Sequence, residues 1–108
     1  MPLPDCENAY IPPAKLIEYL LKERTKGDKS RFFIRFGFSQ ERPEELETAL
    51  LDLACTGELV DIEETQHGRK YKVQGLLRCP IERRPIVMTV WLLEEENTKF
   101  RFITAYPN

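Results

Sequence analysis

The sequence predicts an α+β domain, with about three N-terminal helices packed on one face of a four-stranded antiparallel sheet. Apolar residues recur at helical spacing as far as Gly57 and at alternating spacing beyond it. The run Ile86–Leu93 is apolar on both sides, as a strand flanked by other strands must be. Helices followed by a run of strands, without βαβ alternation, specify α+β with the helices on one sheet face. A chain of 108 residues accommodates one such domain.

Residues 1–13 hold four of the eight prolines and no periodicity, which predicts an extended lead-in, with the domain proper at 14–108. Pro12-Pro13 opens a first helix, since proline at the first helical position forfeits only a donor that is unpaired anyway. Leu16, Ile17, Leu20 and Leu21 form its inward stripe, and Gly27 stops it. Asp28 caps a short second helix carrying Phe32, Phe33 and Phe36, closed by Gly37. Pro43 opens a third, where Leu46, Ala49, Leu50, Leu53 and Ala54 match the i, i+3, i+4, i+7, i+8 template and Gly57 ends the pattern. Strands follow at Leu59–Glu64, Arg69–Leu77, Ile86–Leu93 and Lys99–Tyr106, the first two joined by a Gln66-His67-Gly68 turn. Trp91, among apolar neighbours, is a core residue.

No run approaches the roughly 20 apolar residues that cross a bilayer, and MPLPDCENAY lacks the basic and apolar regions of a signal peptide. Cys6, Cys55 and Cys79 are odd in number and form no CxxC pair, so three reduced thiols in a cytoplasmic protein are expected, with no disulfide and no metal. The net charge of −2 conceals blocks. Residues 44–66 hold eight acids and no base, whereas 69–84 hold six bases and one acid. The glycine-rich phosphate loop, HExxH and GxSxG signatures are absent, and the single histidine, His67, lies in a turn. No cofactor is expected.

The chemistry-bearing residues that remain are polar positions on the strands: Glu64, Lys70, Lys72, Thr89, Arg101, Thr104 and Tyr106. A sheet face bearing Lys, Arg, Thr and Tyr can bind a phosphodiester and stabilise its pentacovalent transition state with side-chain charge alone. Regular alternation with Phe100 and Phe102 under the helices is the expected register, placing Arg101 beside Lys70 and Lys72 on the uncovered face and turning Thr104 and Tyr106 inward; the opposite register faces Thr104 and Tyr106 outward and buries Arg101 against a carboxylate such as Glu64.

The runs GDKSRFFIRFGFS (27–39), ET…HGRKYKVQG (64–75), TVW (89–91) and RFITAYP (101–107) resemble an uncharacterised bacterial family of small domains with the same motif order. More distantly, helices followed by a four-stranded antiparallel sheet are similar to the barnase–EndoU–colicin–RelE group of ribonuclease toxins. That likeness implies candidate catalytic residues Lys70, Arg101, Thr104 and Tyr106. The acidic block and the missing motifs favour a non-catalytic protein-binding or accessory module, with a protein partner preferred to RNA. The alternative is a metal-independent RNA-binding or RNA-cleaving domain.

Overall fold

The computed structural model describes residues 1–20, 29–94 and 98–108. A short 3₁₀ turn at Cys6–Asn8 precedes helices α1 (Pro13–Leu20), α2 (Lys29–Arg35) and α3 (Pro43–Thr56), then strands β1 (Glu58–Thr65), β2 (Gly68–Leu76), β3 (Ile86–Leu93) and β4 (Arg101–Pro107). The strands form one antiparallel sheet in the order β1-β2-β3-β4, so β3 lies between β2 and β4 as its two-sided apolarity requires. Trp91 is fully buried and meets Phe102 edge to face at a centroid distance of 5.4 Å.

Helix α3 buries the five residues that its periodicity selects, Leu46, Ala49, Leu50, Leu53 and Ala54. Its C-terminus lies directly against β2. A Cβ on Gly57 would stand 2.7 Å from the Gln74 carbonyl oxygen and 3.0 Å from Val73 Cγ1, so only glycine permits this approach. In α1, Leu16 enters the core, but Ile17 is exposed because it lies about 100° further round an eight-residue helix. The expected side-chain roles of Leu20 and Leu21, the stop at Gly27 and the cap at Asp28 fall outside the described residues. Helix α2 sends Phe33 into the core, with Phe32 and Phe36 packed against it, and Gly37 follows at φ 97°.

Residues before α1 pack more tightly than a bare extended segment. Leu3, Ala9 and Ile11 are core residues, and the Leu3 amide donates to the Ala54 carbonyl at the end of α3. This docking corrects the expectation of three reduced thiols. Cys6 and Cys55 come within 5.4 Å (Cα–Cα) and form a disulfide across 49 residues of sequence, leaving Cys79 free. Their pairing depends on the 3₁₀ turn folding back onto the last turn of α3, a tertiary contact that no local spacing announces. Tyr10 then forms a parallel bridge with Arg101, covering part of the outer edge of β4.

Candidate functional site on the open sheet face

The helices occupy one face of the sheet, where Val73, Val87, Thr89, Trp91, Phe102 and Ala105 are fully buried. The opposite face is organised in rows set by strand register. One row runs Glu63, Lys70, Leu92, Arg101, a second Asp61, Lys72, Val90, Thr104, and a third Glu58, Gln74, Met88, Tyr106. Leu92, Val90 and Met88 are at most 9% exposed although they lie outside the main core cluster. Their flanking rows achieve this. Lys70, Lys72, Gln74, Arg101, Thr104 and Tyr106 are all half-buried, as long polar side chains are when their stems cover apolar neighbours.

The structure brings Lys70, Arg101, Thr104 and Tyr106 onto a single face, which simple alternation does not. The pairings Val90↔Thr104 and Trp91↔Phe102 leave Ile103 as an extra, unopposed residue of β4. This β-bulge reverses the parity of the strand beyond it. Phe102 and Ala105 therefore both face the helices, while Arg101, Thr104 and Tyr106 all face away from them. The inward placement expected for Thr104 and Tyr106 is thus corrected by one inserted residue.

Two of the polar positions expected on this face lie elsewhere. Thr89 is fully buried under the helices, where its hydroxyl donates to the Val73 carbonyl at 2.8 Å and accepts from Trp91 Nε1 at 2.8 Å. Glu64 pairs with Arg69 on the helix side of β1. Hydrogen bonding to Tyr71, then Glu64, raises the Arg69 guanidinium further above its usual range. His67 sits in the β1–β2 turn, its amide donating to Thr65 Oγ1 at 3.1 Å.

The cations of the open face have acidic neighbours. Arg101 Nε stands 3.4 Å from Glu94 Oε1, and register sets Glu63 opposite Lys70 and Asp61 opposite Lys72. Neither Glu94 as the counterion of Arg101 nor the Tyr10 bridge beside it has a sequence signal. Glu94 is one of three consecutive glutamates, and Tyr10 lies in an aperiodic segment. At the other end of the face, exposed Val60, Leu76 and Ile86 line a hollow with Glu58 and Gln74. Cys79 lies away from this face, and burial pushes its thiol up to about 11. Among the described residues, no group of three His, Cys, Asp or Glu is placed to hold a metal ion, and no helix is long and apolar enough to cross a membrane.

None of the curated proteins compared matches this sequence. Among solved structures, the fold is similar to a chain of a contact-dependent growth inhibition toxin–immunity protein complex from Klebsiella pneumoniae 342. That match has a TM-score of 0.73 at 13% identity and covers 95% of this chain and 96% of the other, so it is a likeness of fold. Residues 2–108 match the family described as Domain of unknown function (DUF6883), and the chain belongs to that family.

Proposed function

We propose that this domain binds RNA on its open sheet face and cleaves it by transesterification. The observation that carries the reading is the Ile103 bulge, which turns Thr104 and Tyr106 onto the face that already holds Lys70 and Arg101. Bulges are over-represented beside active sites because they re-aim side chains. Lys70 and Arg101 would neutralise the non-bridging phosphate oxygens as charge builds on them, and the Thr104 and Tyr106 hydroxyls would donate to the same oxygens. A carboxylate of the cluster, Glu94, would accept the 2′-hydroxyl proton. The 2′-oxygen then bonds to phosphorus, the bond to the 5′-oxygen breaks, and the Lys70 ammonium protonates the departing oxygen. The acids beside each cation temper attraction for a polyanion, which suits a site that positions one phosphodiester.

A second reading, a protein-binding or accessory module, is favoured by the exposed Val60, Leu76 and Ile86 on the same face. The fold neighbour's name pairs a toxin with an immunity protein, so a protein partner fits either reading. Purified protein incubated with total RNA, with and without EDTA, tests the first. Cleavage that survives EDTA, leaves 2′,3′-cyclic phosphate ends and falls at least about 100-fold in Arg101→Ala and Tyr106→Phe is expected. Intact RNA, or cleavage that neither substitution changes, removes the nuclease reading and leaves the protein-binding one.

A further inference from the structure

We infer that the outer edge of β1 is a docking strand for a partner protein, which adds an extended segment whose residues alternate basic, apolar, basic. The inference gives the protein-binding reading its surface and partner chemistry, and it stands independently of RNA cleavage.

Strand β1 ends the sheet, and every residue from Val60 to Glu64 is exposed. Its first residues are covered from within the chain, since the Leu59 amide donates to the Met1 carbonyl at 2.6 Å and the N-terminal ammonium lies 3.4 Å from Glu58. From Val60 to Thr65, no described residue pairs with the outer edge, which leaves a row of main-chain donors and acceptors open to another strand. Ile62 is 49% exposed between Asp61 and Glu63, an apolar residue that the fold leaves uncovered in the middle of the edge.

Register supplies the partner's pattern. Asp61 and Glu63 project to the open face and Ile62 to the helix side. A strand on the outer edge that places bases opposite the two acids must therefore place its intervening residue opposite Ile62. The inner neighbour already does this, because Lys72, Tyr71 and Lys70 of β2 oppose Asp61, Ile62 and Glu63. A second copy of this chain is the wrong occupant. An antiparallel pairing of two β1 edges centred on Ile62 sets Asp61 of each copy opposite Glu63 of the other, and like charges directly opposite destabilise a sheet.

Amide hydrogen exchange resolved by residue tests the assignment, using a capped Lys-Val-Lys-Val-Lys peptide as probe and a capped Glu-Val-Glu-Val-Glu peptide as control. The lysine peptide should slow exchange within Val60–Thr65, leave β4 unchanged and bind less tightly as salt rises, while the control should do neither. Asp61→Asn/Glu63→Gln keeps both side-chain shapes at exposed positions and should weaken lysine-peptide binding about tenfold, from two exposed charge pairs. Equal binding of the two peptides, protection confined to other strands, or peptide affinity unchanged in the neutral variant would overturn the assignment. So would protection of β1 that rises with protein concentration when no peptide is present, since a second copy would then be the occupant. RNA cleavage has its own readout, so either idea can fail alone.

Discussion

Replacing Thr89 with valine removes one hydroxyl from a fully buried polar contact while keeping the side chain's shape. Thr89 Oγ1 accepts from Trp91 Nε1 and donates to the Val73 carbonyl, both at 2.8 Å, and Thr89 and Trp91 are 0% exposed. Valine there leaves the indole N–H without an acceptor in a site that water does not reach. The cost of one such orphaned donor is about 1–3 kcal/mol. Taking about 2 kcal/mol, with a urea dependence of about 2 kcal/mol per molar for a small domain, the unfolding midpoint should fall by about 1 M. Phenylalanine at position 91 removes the donor, so Thr89→Val should cost about 1–2 kcal/mol less in a Trp91→Phe background. Urea titrations followed by far-UV circular dichroism suit the full cycle, because Trp91 is the only tryptophan and its fluorescence disappears in two of the four proteins. A Thr89→Val midpoint equal to wild type, or equal penalties in both backgrounds, would show that the hydroxyl does not serve the indole.

The Cys6–Cys55 bridge predicts one titratable thiol per chain in denaturant without reductant and three after reduction; three from the start would refute it. Replacing both bridged cysteines by serine should cost up to about 4 kcal/mol, the chain-entropy figure for a closed loop spanning 49 residues. A thiol whose pKa is raised carries less thiolate at a given pH. Iodoacetamide should therefore label Cys79 of the folded protein more slowly than the same residue unfolded at pH 8, with the rate climbing about tenfold per pH unit towards about 11. The bulge predicts that Ala105→Leu, at a fully buried position, costs about 1–3 kcal/mol. A lowered thermal midpoint checks this, and a midpoint equal to wild type would place Ala105 on the open face.

Where one local rule governs an element, that element is legible in the sequence. Helix α3 keeps its template across two full turns, and all five template residues are buried. The two apolar sides of Ile86–Leu93 likewise require a strand on each flank, and β3 has them. Legibility ends where a contact joins distant parts of the chain. Cys6 meets Cys55 only because Leu3 docks beside Ala54, and nothing within a few residues of either cysteine encodes that. Thr89 reads as a wet-face residue by composition, yet its side is set by Val73 across the ladder and Trp91 along the strand.

The candidate site shows the same division within one strand. Phe100, Arg101 and Phe102 follow strict alternation, and Arg101 lies where that alternation puts it. Extending the rule through Ile103 would turn Tyr106 beneath the helices and Ala105 outward. The tertiary structure refuses that arrangement. Position 105 lies opposite Thr89 in a fully buried layer, where a methyl group fits and a phenol would need both volume and a hydroxyl partner. Inserting Ile103 as a bulge forfeits one ladder pairing, places Ala105 in that layer, and delivers Thr104 and Tyr106 to the face of Lys70 and Arg101. One residue that makes no cross-strand pair thus decides both how the core closes over β4 and which side chains the open face can present to a ligand.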